Sequence, residues 1–562
     1  MKTLLKGGTV VNVFTGELEK ANVLIEDEII IGVGAYDDED ADVIENADGK
    51  FICPGFIDGH IHIESTMLTP SELAKMCLPH GTTAIVADPH EIANVCGVDG
   101  IRYMMEASDG IPMHVYFALP SCVPATPFDE SGANLTAADL RPLYSSPRVV
   151  GLAEMMNYPG VLMRDESVIK KIEDARSFGK VVDGHAPSLS GKALDRYVAT
   201  GIQSDHECTC ADEAIEKIRK GQWVMIRQGT AARNLAELLP LFEAPYNHRC
   251  VLVTDDRHPA DIDNEGHIDH IIRLAVQNGK NAVTAIQMAT IQAAQCFGLS
   301  YVGAIAPAYR ADILILDDLN SVNVCDVYTG GKKVVDHKKV CRFADPKINE
   351  NLLSIVKNSF HIEPLKPSDF HIDENSAKCR VIKVLAGQLV TDEQICDIHW
   401  DVENGVDTQK DILKLAVLER HKNTGHRGLG FITGIGLKKG AIASSVSHDS
   451  HNLIVIGTNE ADMALAANCI RETGGNVVVA DGKIVAQMKL PVAGLMTEAS
   501  GGEIAQANEA VREAVFSLGV AEGIEPFMNM AFVSLPVIPS IKMTTQGLVD
   551  VNKQERISLY YN

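Results

Sequence analysis

No run of 18 apolar residues occurs anywhere in the 562-residue chain, and a membrane-spanning helix needs about that length. The amino terminus, Met1-Lys-Thr-Leu-Leu-Lys-Gly-Gly, lacks the apolar core of a secretory leader. A membrane partner is therefore not expected, and a cytoplasmic location is. Positive charge is also scarce: 50 Lys and Arg stand against 75 Asp and Glu, for a net charge of −25. Such a surface repels nucleic acid and anionic lipid and suits a small substrate that is not strongly anionic. The 13 cysteines form no Cys-x-x-Cys pair, with Cys208 and Cys210 the nearest neighbours. In a chain this long that spacing indicates reduced thiols rather than a disulfide framework.

What is present is ordinary globular composition, 46% hydrophobic and 22% charged, over a length that predicts three or four domains or one large barrel with appendages. Residues 1–50 read as short strands rich in β-branched residues and broken by Gly, Asn and Asp. From residue 51 eight apolar runs ending in polar residues recur, at 51–62, 82–90, 111–121, 149–156, 180–186, 201–207, 222–229 and 249–256. Amphipathic helical patterns lie between them, for example at 165–178 and 211–220. Eight strands alternating with helices predict an α/β chain with a TIM-type (β/α)8 barrel over 51–301. An open doubly wound sheet would show a Gly-rich phosphate turn after its first strand, and none is there. Residues 302–345 return to strand texture and are expected to pair with residues 1–50 in a small β-sandwich-like domain. Residues 346–562 predict a separate α+β domain.

The polar residues at the strand ends carry the chemistry. His60 and His62 share one face of an extended strand because side chains alternate with period two. The second run ends with Asp88, His90 and Glu91, and the fourth carries Glu154. The fifth carries Asp183 and His185, the sixth His206 and Glu207, the eighth Asp255 and Asp256. Singly, each has an ordinary explanation, a hydrogen-bonded histidine or an aspartate capping a helix. In a barrel all converge at the carboxyl-terminal mouth. Four histidines with two carboxylates there suit two divalent metal ions with open positions. The run Ser447-His448-Asp449-Ser450-His451-Asn452 reads either as a polar loop or as an additional metal contact.

The string Pro54-Gly-Phe-Ile-Asp-Gly-His-Ile-His62, with single histidines on the fifth and sixth strands and an aspartate on the eighth, resembles the amidohydrolase superfamily. More closely, the chain is similar to the adenine deaminase family along essentially its whole length. The strings that carry this are 87–95, 151–157, 183–187, 204–207 and 254–259. Many cyclic-amide hydrolases of the superfamily place a carboxylated lysine on the fourth strand. Here Glu154 stands in a run, 149–157, without lysine, and members of the adenine deaminase family are expected to use such a glutamate.

The resemblance implies hydrolytic deamination of adenine to hypoxanthine and ammonia, in purine salvage, by a metal-activated hydroxide. His60, His62 and Asp255 are expected on one ion, His185 and His206 on the other, with Glu154 bridging. Asp255 is chosen over Asp256 for its place after Thr254 and on the face of Val251 and Val253, and is expected to move the proton as well. Glu207 or Glu91 would protonate a ring nitrogen or orient a histidine. His90, Asp256, Arg227, Gln228, His448 and His451 are further candidates for metal or substrate contact. Manganese or iron is favoured by the resemblance, with zinc the alternative, and a homodimer is expected. Another superfamily hydrolase, acting on a different purine or cyclic amide, is the competing reading. The Pro-Cys-x-x-Cys signature of zinc deaminases that act on nucleic acid is absent.

Overall fold

A computed structural model of the chain describes residues 1–521 and 523–561. The chain divides into two compact units. The first comprises Met1–Pro89, Met104–Ser121 and Thr136–Lys347, and the second His90–Tyr103, Cys122–Leu135 and the chain from Ile348 onward.

Eight parallel strands form the centre of the first unit. Phe56–Ile61, Thr82–Ala87, His114–Leu119, Val149–Met155 and Val181–Gly184 make one run of neighbours. Ser204–Asp205, Trp223–Arg227 and Cys250–Val253 make the other. The runs join where Gln203 N–H donates to Val182 O at 3.0 Å. The ring closes where Asp255 N–H donates to His60 O at 2.9 Å, beside a parallel bridge between Ile61 and Asp255. This is the (β/α)8 barrel expected from the eight apolar runs. Its strands are buried on both faces, which is why they read as continuous apolar runs rather than alternating ones.

The run 51–62 was expected to be one strand, but it divides at Gly55. Phe51–Pro54 pairs with Ile313–Leu316 and with the strand Thr9–Asn12, outside the barrel. A Cβ at Gly55 would lie 2.1 Å from Thr83 Oγ1, so only glycine lets the chain pass from one sheet to the other there. Outside the barrel, four strands drawn from residues 2–46 and seven drawn from 9–20, 51–54 and 313–340 form two further sheets. Leu5, Val23 and Ile25 of one meet Val10, Ile52 and Ile313 of the other in a shared apolar cluster.

The second unit is built on an eight-stranded sheet. Its order is Thr391–Asp397, Lys378–Val384, Arg427–Thr433, Leu413–Leu418, Leu453–Gly457, Ala441–Ser444, Asn476–Ala480 and Lys483–Met488. All neighbours are antiparallel except Lys378–Val384 with Arg427–Thr433. The helix Glu460–Thr473 packs Met463, Ala466, Ala467 and Ile470 against Ala443, Val455 and Val477 of the sheet. Asn459 caps that helix by accepting from Asp462 N–H at 2.8 Å. Among the described residues no helix is long and apolar enough to cross a membrane.

Candidate metal centre

Glu154 stands at the middle of the barrel mouth, and its two oxygens face different histidine pairs. Oε1 lies 3.3 Å from His62 Nε2 and 3.8 Å from His60 Nε2. Oε2 lies 2.6 Å from His185 Nδ1 and 3.2 Å from His206 Nε2. Asp255 Oδ1 completes the first set at 3.0 Å from His62 Nε2 and 3.7 Å from His60 Nε2. Glu207 Oε1 joins the second at 3.4 Å from His206 and 3.8 Å from His185. Two donors each about 2.1 Å from one ion lie roughly 3–3.6 Å apart, and the separations from His62 and His206 fall in that range, while His185 Nδ1 and Glu154 Oε2, at 2.6 Å, are hydrogen-bonded. His60 Nε2 and His206 Nδ1 are buried without a hydrogen-bond partner among the described residues, a costly condition that a ligand at His60 Nε2 would relieve. The donors fit a pair of divalent cations.

Charge supports the same reading. Burial alone would keep Glu154 and Asp255 protonated, yet both are held well below the carboxylate range, Glu154 by His206 and His185 and Asp255 by Arg227 and His62. Burial likewise opposes charge on His62, and bonds from Asp255 and Glu154 outweigh it and raise the imidazole well above its ordinary value. The pocket is organised around strong cation–carboxylate attraction in a dry setting, where a divalent ion would take the place of the proton.

The supporting residues explain how the donors are aimed. Asp183 Oδ2 lies 3.1 Å from His60 Nδ1, leaving Nε2 toward the cluster, and His62 Nδ1 lies 3.1 Å from Asp88 O. Asp58 accepts from the backbone N–H of His60 at 3.2 Å and of Thr254 at 3.1 Å, and burial pushes its carboxyl up to about 7. Asp205 accepts from Ala186 N–H and Glu207 N–H, each at 2.8 Å, and pairs with the fully buried Lys217 at 3.1 Å. One carboxylate thereby ties the loop after His185 to the loop after His206. Asp58, Asp183 and Asp205 had no assigned part in the sequence reading. Asp183 lies two residues before His185 on the same strand face, a signal that alternation supplied. A register shift after Asp58 sets it apart from His60, and it binds Thr254 Oγ1 and lies 3.4 Å from His267 Nε2.

Asp255 reaches the centre on the side that strand alternation indicated. Val251 and Val253 cluster with Ile57, Val86, Ala118, Val150 and Met225 of the other barrel strands, the side chains that fill the barrel interior. The strand itself ends at Val253, and Asp255 has φ of 59°. That left-handed turn, strained for a residue with a side chain, brings its carboxylate to His62. Asp256 instead accepts a hydrogen bond from Ser65 Oγ. Arg227 Nη1 binds Asp255 Oδ2 at 2.6 Å and also Glu207 Oε1. Gln228 is buried with no partner for Oε1 among the described residues.

The amidohydrolase family model matches residues 51–334, and the model of the adenine deaminase C-terminal domain matches residues 388–555. An adenine deaminase of Desulfatibacillum aliphaticivorans is 44% identical over 559 residues, covering 99% of this chain and 97% of that protein. Adenine deaminase 2 of Carboxydothermus hydrogenoformans is 45% identical over 553 residues, covering 98% and 95%. The chain belongs to the adenine deaminase family. Among solved structures, a beta-aspartyl dipeptidase from Fervidobacterium islandicum aligns with a TM-score of 0.47 and 14% identity, over 61% of this chain and 98% of that one. For this member of the family, the amidohydrolase match and the buried donor groups together identify a divalent-metal-binding enzyme.

Four further candidates lie in the second unit. Glu91 Oε1 is 2.6 Å from His448 Nδ1, and Glu91 Oε2 binds His451 Nε2. Ser447 N–H donates to His451 Nδ1 at 3.1 Å, so the proton of the neutral ring sits on Nε2, which donates to Glu91. Burial keeps that ring neutral by lowering its pKa, and Glu91 is held well below the carboxylate range despite burial, by His448 and His451. The trio is a carboxylate clamped by two imidazoles. His90 Nε2 lies 3.6 Å from Glu91 Oε1 in the same unit.

Proposed function

We propose that this enzyme hydrolyses adenine to hypoxanthine and ammonia, the activity for which its relatives in Desulfatibacillum, Carboxydothermus and Clostridium acetobutylicum are named. The observation that carries the reading is the double-faced Glu154 carboxylate between two histidine pairs, together with identity to those relatives over nearly the full chain. His60, His62 and Asp255 would hold one divalent ion, His185 and His206 the other, with Glu154 shared. When bound, the ions supply Lewis acidity that makes water nucleophilic near neutral pH.

The chain's own groups then govern the proton. Asp255, ionised and oriented by Arg227, takes a proton from the attacking water and passes it to the departing amine. The C6–N bond breaks as the C6–O bond forms, so adenine and water give hypoxanthine and ammonia. Glu207 is also bound to Arg227 and held below the carboxylate range by that guanidinium against the effect of burial, which suits it to positioning rather than to giving up a proton. The strands between Phe56 and Val253 serve as the catalytic barrel, with 1–50 and 302–345, joined by Phe51–Pro54, as its β-domain and 346–562 as the C-terminal domain. Manganese or iron as the ions, a homodimer as the assembly and the cytoplasm as the compartment complete the proposal, the metals and the dimer on family resemblance and the compartment on cysteines scattered without a Cys-x-x-Cys pair.

Ammonia release from adenine, with bound metal counted on the same sample, tests it. About two ions per chain with turnover is the expected result. Two ions without turnover on adenine, but with turnover on another purine or cyclic amide, would replace the substrate and keep the centre.

A further inference from the structure

Cys379 and Cys396 face each other across the edge hairpin of the C-terminal sheet. They are direct partners in the antiparallel pairing of Lys378–Val384 with Thr391–Asp397, and Thr391–Asp397 is the outermost strand of that sheet. Directly opposed residues project to the same side, and both sulfur-bearing side chains pack in one apolar cluster with Val381, Ile398 and Phe431. The backbone around them fixes the type of pair. Arg380 N–H donates to Leu559 O at 2.8 Å and Tyr561 N–H to Lys378 O at 3.0 Å, which turns the polar groups of residues 378 and 380 toward the chain terminus. The polar groups of Cys379 therefore point at Cys396, and the bond from Ile398 N–H to Ala377 O at 2.8 Å continues the same alternation. In a hydrogen-bonded antiparallel pair the Cα atoms lie about 5.5 Å apart, inside the roughly 4.4–6.8 Å range that a disulfide bridges. The Cβ atoms, about 5 Å apart, must close by roughly 1 Å to reach disulfide geometry, a shift that an outermost strand accommodates.

We propose that Cys379 and Cys396 form a reversible cross-strand disulfide that locks the open end of this edge hairpin. The oxidant is a low-molecular-weight disulfide of the oxidised glutathione class. Cys396, the half-buried member beside Gln394 Nε2 at 3.3 Å, attacks it and forms a mixed disulfide, releasing one thiol. Cys379, fully buried, then displaces the second thiol and closes the Cys379–Cys396 bond. The protein loses two electrons and two protons, and the small disulfide gains them. Burial pushes the Cys379 thiol up to about 11 and raises Cys396 as well. Thiolate is scarce at neutral pH, so closure takes minutes to hours, and such thiols are also poor leaving groups once paired.

The full-length protein is incubated with millimolar oxidised glutathione, its remaining thiols are alkylated, and it is cut at glutamate, which separates the two cysteines at Glu393. The expected product joins the two peptides through one disulfide, disappears on reduction with dithiothreitol, and does not form in Cys396→Ser. The oxidised protein is also expected to melt several degrees higher than the reduced protein. Modification of the exposed Cys210 in the same digest shows that the oxidant has acted. Free thiols at 379 and 396 under that condition, or glutathione carried on Cys396 without closure, would overturn the proposal.

Discussion

His60 Nδ1 and Asp183 Oδ2 lie 3.1 Å apart, both residues almost wholly buried. The bond fixes the histidine tautomer, so that Nε2 presents its lone pair to the cluster formed by Glu154 and Asp255. Removing the carboxylate frees the ring to turn and leaves its second nitrogen unpaired. Asp183→Ala is expected to weaken divalent-metal binding about 10–100-fold while leaving the fold intact by circular dichroism. A competitive chelator titration reads the change directly, and unaltered affinity would show that Asp183 does not orient His60.

Glu154 is the only carboxylate whose two oxygens each face a different histidine pair among the described contacts. Glu154→Gln keeps the shape and removes the charge that holds two cations side by side. Metal content and adenine turnover are expected to fall together in this variant. Full activity at normal metal content would remove the bridging role.

Asp255 and Asp256 are adjacent in sequence and differ in surroundings. Asp255 is buried against His62 and Arg227, whereas Asp256 binds Ser65. Asp255→Asn is expected to lower kcat by about 10²–10⁴-fold, and Asp256→Asn by less than about tenfold. Steady-state kinetics on the two variants, with metal content measured alongside, separates them. The larger loss falling on Asp256→Asn would transfer the proton-moving role to that residue.

The barrel was legible because its strands are buried on both faces and end in candidate ligands, so apolar runs and the histidines and carboxylates after them mark the same positions. His60 and His62 followed directly from strand alternation. Asp255 followed from the same alternation, since Val251 and Val253 line the barrel interior, although the left-handed turn at φ 59° that sets its final position was not legible. Nor could periodicity show that the run 51–62 serves two sheets, since the break at Gly55 is set by contact with Thr83, a residue on another strand. The Asp205–Lys217 pair was hidden for a related reason. Lys217 reads as an exposed position on an amphipathic helix, and its complete burial arises only when that helix packs against the strand bearing Asp205.

That buried pair gives a stability prediction. Asp205 and Lys217 lie 3.1 Å apart with neither side chain exposed, and Lys217 Nζ also donates to Ala186 O at 2.9 Å. Lys217→Met would leave Asp205 a buried charge without its cation. The expected cost is about 3–5 kcal/mol, read as a lower urea midpoint with an unchanged slope. A double variant, Asp205→Asn with Lys217→Met, should recover part of that loss because no uncompensated charge remains. Equal stability of the single and double variants would place the cost in packing.

Asp312 supplies the pH dependence. Burial would raise its carboxyl, but His114 Nε2 at 3.2 Å and the neighbouring Arg310 offset that and hold it at about 2. The unfolded chain titrates near the ordinary aspartate value of about 3.9. Because the folded pKa is the lower one, the stabilisation is complete above about pH 4 and disappears as the pH falls toward about 2. A difference of nearly two units corresponds to roughly 2.5 kcal/mol. Asp312→Asn should therefore be less stable than the wild type at pH 6 and close the gap between pH 4 and pH 2, as followed by urea unfolding at each pH. A constant gap across that window would mean that the variant's loss is steric and that Asp312 is not ionised in the fold.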